Sequence, residues 1–353
     1  MIHGMRHGAT ALISLIVLLV VAAAQASAQV RYPGASWERA PSPESLGWST
    51  DKLHLAKAYA ATIHTAAVMI VVDGVVLDEW GETAKRFNVH SIRKSFLSAL
   101  YGIHVKEGRI RLADTLADLR IDDNEPRLSP MEKQATVADL LKSRSGIYHP
   151  ALYETPNMAM ARPARGSYPP GTFWYYNNWD FNALGTILER ATKATVYEDF
   201  KRRIADAVDM EDFRLEDGSH VRGPDSIHAA YPFRMTARDM ARFGLLYLRN
   251  GRWRDRQVAP SDWVAESTRS YSNTGQGGGY GYLWWVSSGG PHLTSAFFKG
   301  EVFSAQGWGG HYILVVPYLN MVVVHRVNTD EQGRQVTNSQ FGHLVQLIMN
   351  ARQ

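Results

Sequence analysis

The chain contains no cysteine. That excludes disulfides, thiolate nucleophiles, Cys-ligated metal sites and a lipidated N-terminal Cys. Several signature motifs are missing too: no HExxH, GxxxxGK, GxGxxG or GxSxG occurs in the sequence. Zinc proteases, P-loop enzymes, dinucleotide-binding folds and α/β-hydrolases thereby lose their usual support. No block of like charge stands out, and Lys+Arg (38) nearly balance Asp+Glu (34), a net charge of +4. Nothing here suggests a nucleic-acid partner. The one long apolar run, from Ala11 to Ala24, is shorter than the ~20 residues that span a bilayer.

That run has a different use. Arg6 precedes it without any acid nearby, and Ala26-Ser27-Ala28 follows it. A cation, an apolar stretch and small residues in that order predict a secretory leader over residues 1–28, cleaved after Ala28. The expected product is periplasmic or secreted, with no stable membrane anchor. Residues 29–44, rich in Pro, Trp and Ser, read as an extended arm.

From residue 45 the pattern becomes globular. A helix is predicted from Ser49 or Thr50 to about Ile63. Two apolar runs, Ala67–Val72 and Val75–Trp80, flank Asp73-Gly74, a hairpin signal. Ser91–Glu107 reads as a helix, because Ile92, Phe96, Leu100 and Ile103 share one face and Gly108 stands at its end. Helices are also expected at Asp180–Ala191, at Thr236–Leu248 and around Phe341–Ile348. The last third turns β-rich, with an aromatic strand at Tyr280–Val286 and a hairpin of Tyr312–Val316 with Met321–His325. Strands early and late, with helices between, predict an α/β protein of the α+β type. An antiparallel sheet built from both chain ends is flanked by helices and joined to a mostly helical lobe. The catalytic domain would cover residues 45–353, its sheet lobe about 45–95 and 250–353 and its helical lobe about 96–249.

The chemistry is carried by Ser-x-x-Lys. Ser91 and Lys94 stand at i and i+3, neighbours on one helix face. A serine hydroxyl attacks only when a base takes its proton, and an amine serves if burial or a nearby cation lowers its pKa. Ser49-Thr50-Asp51-Lys52 matches the same pattern, but there a capping serine and a solvated lysine suffice. The second piece is Tyr176-x-Asn178, a phenol and an amide in the loop before the helix at Asp180. The phenol can move protons, and the amide can bind a substrate carbonyl or hold the lysine. Tyr175-x-Asn177 and Tyr271-Ser272-Asn273 are rival registers, the latter with no helix after it. The third piece is Gly307-Trp308-Gly309-Gly310-His311, running into the strand at Tyr312. Small residues let a substrate approach the backbone, whose N–H groups could face an oxyanion.

Ser91/Lys94, Tyr176/Asn178 and the Gly-rich segment, in this order, resemble the serine β-lactamase and penicillin-binding-protein superfamily. The sequence looks closest to the class C β-lactamase branch with its esterase, amidase and 6-aminohexanoate-dimer-hydrolase relatives. Leu140–Ile147, Met235–Gly244 and Tyr280–Trp285 are similar as well, so the resemblance spans about residues 45–350. It implies a β-lactamase/transpeptidase-like fold and an acyl-enzyme on Ser91, with no cofactor and no metal. Lys94 and Tyr176 would share acid and base duties, and Asn178 would contact the acyl amide or Lys94. The backbone N–H groups of Ser91 and His311 would form the oxyanion hole beside Trp308, Gly309 and Gly310. One departure bears on the substrate. Where the lactamases have Lys-Thr-Gly, this chain has Trp308-Gly309-Gly310. A Trp cannot pair with a carboxylate. The expected substrate is therefore a small ester or amide, with Trp174, Tyr175 and Phe298 as further aromatic neighbours. The alternatives are a β-lactamase or D-Ala-D-Ala carboxypeptidase, and a non-catalytic cell-envelope binding protein on the same fold. His90 and His311 flank two of the motifs without a role that the sequence assigns.

Overall fold

Thr65–Val72 (β1) and Val75–Gly81 (β2) form a hairpin closed by Asp73 and Gly74, at φ +52° and +83°. Two consecutive positive φ values are what a two-residue primed turn demands. Six later strands complete the sheet: Ser272–Asn273 (β3), Gly278–Tyr280 (β4), Trp285–Ser287 (β5), Phe303–Gly307 (β6), His311–Val316 (β7) and Met321–Val327 (β8). Their order is β2-β1-β8-β7-β6-β5-β4-β3, and every pair is antiparallel. The first hairpin therefore docks on the last strand, with Val68 opposite His325 and Ile70 opposite Val323. The expected sheet from both chain ends is present. In this computed structural model the residues described are 30–275, 278–289 and 291–353. The predicted leader, residues 1–28, lies outside them.

Strand periodicity explains why β1 reads as an unbroken apolar run. Side chains alternate between faces, and both faces are covered. Val68, Ile70 and Val72 enter one core with helices Thr50–Ala60 (α1) and Asn338–Asn350 (α5). Met69 and Val71 enter the other, which also takes in Arg93–Lys106 (α2), Asn178–Thr192 (α3) and Ala237–Leu248 (α4). Along α2 every residue from Arg93 to His104 is buried, so this helix is a central strut. From Arg31 onward the chain is one compact unit.

Three local expectations are corrected. The first helix stops at Ala60, not Ile63. The α-helix of the Ser-x-x-Lys segment starts at Arg93, and Ser91 sits in a 3₁₀ turn, His90–Ile92. The aromatic strand at Tyr280–Val286 is two strands, β4 and β5, folded back at Gly281–Trp284. There the Gly281 N–H donates to Trp284 O at 2.8 Å and Leu283 takes φ +63°. A Cβ on Gly281 would lie 2.1 Å from Ser267 O, so only glycine fits the bend.

Helix α4 rests on the sheet through Gly244. A Cβ there would come within 2.5 Å of Val322 Cγ1 and 2.8 Å of Ile313 Cγ2. Helix propensity alone would make Gly244→Ala stabilising by about 1 kcal/mol. Overpacking against two β-branched strand residues opposes this by about 1–3 kcal/mol. The variant is expected to be net destabilised, read as a lower urea midpoint at unchanged m-value. A raised midpoint would show that the helix simply lifts.

Candidate active site

The strand pair Phe87–Asn88 with Arg234–Met235 delivers the chain to the 3₁₀ turn that carries Ser91. His90 takes φ +47° there, and its N–H donates to Asn88 Oδ1 at 2.9 Å. The first bond of the turn runs from Ile92 N–H to Val89 O, so the Ser91 N–H precedes the helical bonding. One turn on, Lys94 Nζ donates to Ser91 Oγ at 2.7 Å. Lys94 is 2% exposed, and the rings of Tyr176 and Phe181 lie 4.7 Å from its Nζ. Among the described residues it has no carboxylate partner.

The electrostatics follow from that isolation. Burial drives the Lys94 ammonium well below its usual range, and Arg93 pushes it further down. Arg93 is fully buried as well. Its Nη2 donates to Asn182 Oδ1 at 3.3 Å, while Nε and Nη1 have no partner. Its guanidinium lies over the rings of Tyr231 at 4.7 Å and Tyr153 at 5.5 Å. Two cations side by side in a buried helix turn cannot both stay charged cheaply, and the lysine is the one that can yield its proton.

Tyr176 reaches the same point from the loop before α3. Ser143 pins that loop, donating to Tyr175 O at 2.6 Å and accepting from Asn177 N–H at 3.0 Å. Asn177 is the helix cap, its Oδ1 accepting from Trp179 N–H at 3.1 Å. Asn178 is accordingly the first residue of α3, not part of the loop. The Tyr176 hydroxyl sits beside that of Ser91. Burial pushes the phenol up to about 12, and the Ser91 hydroxyl and Arg93 hold it back. The rival register is structural: Tyr175 donates to Met158 O at 2.7 Å. Tyr271 is bonded to Glu266 and stacked on Tyr282. Ser49 caps α1, accepting from Lys52 N–H at 3.4 Å.

A cleft of about 610 Å³ opens onto these groups, lined by Ser91, Tyr176, Asn178 and the strand end Gln306-Gly307-Trp308, together with His90, Tyr153, Glu154, Met158 and Trp285. A larger groove of about 870 Å³ is lined by none of the candidate residues. The Gly-rich segment is corrected here. It is the turn between β6 and β7, not only a strand start. Gln306, Gly307 and Trp308 face the cleft, whereas Gly309, Gly310 and His311 do not line it. Gly309 and Gly310 back onto other chain: a Cβ would meet Thr329 Cγ2 at 2.5 Å or Val336 O at 2.6 Å. The buried His311 pairs in register with Gly307, and its Nδ1 accepts from Arg326 Nε at 3.0 Å. Of the aromatics expected around the substrate, Trp308 lines the cleft at its rim, whereas Trp174, Tyr175 and Phe298 do not. Trp174 packs against Tyr280 and Trp285, and Phe298 against His292.

Of the two contacts expected of Asn178, the one to Lys94 is not made. Its Nδ2 donates to Tyr153 O at 2.6 Å, and its Oδ1 is buried without a partner. It makes no bond to Lys94, whose Nζ goes to Ser91. His90 Nε2 bonds Thr329 Oγ1 at 2.8 Å, and its ring meets Trp308 edge-on. Burial first, then Arg326 and Arg93, push the His90 imidazole down to about 4, so it is neutral at pH 7. Sequence reasoning missed Gln306 and the Tyr153–Met158 wall. The only local signal there is Thr155-Pro156, a helix start that says nothing of chemistry. Among the described residues no three His, Asp or Glu are placed to hold a metal ion.

Comparison with known proteins bears on the family and the fold. The Beta-lactamase family model matches residues 54–345. Among solved structures, a chain described as a 6-aminohexanoate-dimer hydrolase from Bacillus anthracis is 21% identical, with a TM-score of 0.64 over 89% of this chain and 86% of that one. A penicillin-binding protein homologue from Pyrococcus abyssi is 18% identical, with a TM-score of 0.62 over 85% of this chain and 76% of that one. A β-lactamase from Mycobacterium bovis is 20% identical, with a TM-score of 0.59 over 85% of this chain and 97% of that one. None of the curated proteins matches. At these identities the likeness is one of fold.

Proposed function

Because the chain belongs to the Beta-lactamase family, we propose that it is an exported serine hydrolase that cleaves an ester or amide through an acyl-enzyme on Ser91. The observation that carries the reading is the 2.7 Å contact from Lys94 Nζ to Ser91 Oγ, made by a buried lysine that has no carboxylate partner among the described residues. Export rests on the leader pattern ending at Ala28.

Opposite directions of shift separate the two proton carriers. A base must be deprotonated near the working pH. Burial lowers Lys94 and raises Tyr176 to about 12, so the amine is the base and the phenol stays protonated. Ser91 Oγ attacks the carbonyl carbon and its proton passes to Lys94 Nζ. The tetrahedral oxyanion is met by the N–H groups of Ser91 and Trp308, one from each wall of the cleft. Tyr176 passes a proton to the leaving group as the bond breaks, and Lys94 resupplies it. Water then attacks the acyl carbon, and its proton passes through the same pair to Ser91 Oγ as the acyl–Oγ bond breaks and the acid leaves.

Among the described residues no Lys or Arg lines the cleft, and Glu154 is the one acidic residue that does. A substrate carboxylate finds no counter-charge there, which favours a neutral ester or amide over a β-lactam or a peptide C-terminus. A fluorophosphonate probe is expected to label the Ser91 peptide of the folded protein, mapped by mass spectrometry. Label on the Ser49 peptide, or none at all, would refute the mechanism. Nitrocefin turnover matching that of p-nitrophenyl butyrate would refute the substrate preference alone.

A further inference from the structure

His90 and His311 take no part in the proton transfers, yet the fold joins them through one hydroxyl beside the nucleophile. Arg326 starts the chain of bonds. It is fully buried, and its Nη groups donate to the carbonyls of Phe87, Asn88 and Met235. Its Nε donates to His311 Nδ1 at 3.0 Å. Burial lowers the guanidinium to about 9, so it is charged at pH 7. A guanidinium only donates, so Nδ1 is the bare nitrogen of the His311 ring. Burial keeps that ring neutral, and its proton is therefore on Nε2.

The next links follow from that proton. His311 Nε2 stands 3.4 Å from Thr329 Oγ1, a long bond in which the nitrogen donates and the oxygen accepts. Thr329 Oγ1 also meets His90 Nε2 at 2.8 Å. A hydroxyl that accepts from one ring keeps a proton to give. Among the described residues, His90 Nε2 is the acceptor within its reach. Which nitrogen of a neutral histidine carries the proton is set by the bond the other makes. His90 is left with a bare Nε2 and its proton on Nδ1.

That N–H is free. Nδ1 of His90 has no partner among the described residues, and it is not one of the polar atoms shut off from solvent without one. His90 lines the cleft directly before Ser91. Its ring is held on other sides by Trp308, edge-on at 5.3 Å, and by the His311 ring, also at 5.3 Å.

Resting on the acyl-enzyme reading above, we infer that Arg326, His311 and Thr329 are positioning residues that set His90 as an uncharged Nδ1–H donor on the cleft wall. His90 is then a specificity-determining residue. It takes an oxygen acceptor of the substrate other than the scissile carbonyl, such as an ether or a second ester oxygen. An all-carbon chain at that place leaves the donor unmatched and is the poorer substrate.

The relay is tested with the protein labelled with ¹⁵N-histidine at pH 7. Long-range ¹H–¹⁵N spectra separate protonated from bare ring nitrogens, and His90→Phe and His311→Gln identify the two rings by their missing signals. The expected result is a protonated Nδ1 and a bare Nε2 on His90, with the reverse on His311. Thr329→Val should move the His90 proton toward Nε2. A wild-type His90 that already carries its proton on Nε2 would overturn the relay. The substrate claim is read as kcat/KM divided by the spontaneous hydrolysis rate of the same ester. p-Nitrophenyl 2-ethoxyacetate and 3-methoxypropanoate, against pentanoate of equal length, place one ether oxygen in the acyl chain. 2-Ethoxyethyl butyrate against pentyl butyrate places it in the alcohol. An ether is expected to lead by roughly fivefold or more in one of the two sets, which shows the side of the scissile bond that His90 reads. The advantage should vanish in His90→Phe and shrink in Thr329→Val. Equal wild-type values in both sets would overturn the specificity claim, as would an advantage that survives in His90→Phe. If the variants fail to fold, the wild-type ester sets decide. Fluorophosphonate labelling of Ser91, run alongside, keeps the two readings apart. Labelling without an ether preference sinks only the specificity claim, and no labelling sinks the mechanism beneath it.

Discussion

Ser91→Ala is expected to abolish hydrolysis, with kcat falling on the order of 10⁵-fold or more. Removing the nucleophile of a set that acts as a unit costs as much as removing several members, because the others have no other route to the acyl-enzyme. Fold stability should change little, since Ser91 is partly exposed and precedes the helical bonding of its turn. The matched control is Ser49→Ala, which loses a helix cap and about 1 kcal/mol of stability but no activity. Measured with a p-nitrophenyl ester, residual turnover in Ser91→Ala above a hundredth of wild type would mean that another group attacks.

The second large effect belongs to Lys94. Lys94→Met keeps the length and apolar packing of the stem but removes the base, and kcat should drop by about 10³–10⁴. The pH profile carries the sign. Activity requires neutral Lys94, so kcat/KM rises as pH passes up through its pKa, which burial and Arg93 set well below the usual lysine value. Tyr176 sits at about 12 and so adds no falling limb within the working range. Removing the neighbouring cation in Arg93→Met relieves repulsion on the Lys94 ammonium and should move the rising limb to higher pH. Arg93→Lys keeps a cation and should move it less. A limb that stays in place in Arg93→Met would show that burial alone sets the Lys94 pKa. A profile with no rising limb would remove Lys94 from the role of base.

Much of this was legible in the residues because the determinants are local. The Asp73-Gly74 turn, the heptad-like face of α5 and the caps at Ser49 and Thr236 depend on neighbours a few positions away. Ser91 and Lys94 are likewise one helical turn apart, so their 2.7 Å contact was within reach of spacing alone. Tyr176 required long-range information, and its register was chosen from an ordered set of motifs instead of from chemistry.

What sequence periodicity could not decide was which way the chain turns at its glycines. Tyr280–Val286 alternates like one strand, but Gly281 lets the backbone pass against Ser267 O and fold back. The same holds at the third motif. The run of glycines marks the β6–β7 turn, yet only the hairpin register puts Gln306, Gly307 and Trp308 on the cleft and His311 behind it. The partner of Asn178 comes from residue 153, in a segment with no motif. The sequence alone singled out Ser91 and Lys94 as a candidate pair one helical turn apart, and its pattern of early and late strands predicted the antiparallel sheet. Tertiary structure alone decided that Lys94 is buried with no carboxylate partner among the described residues, and that Trp308 lines the cleft while His311 lies behind it. Burial and hydrogen-bond exhaustion are properties of the packed chain, and no local pattern contains them.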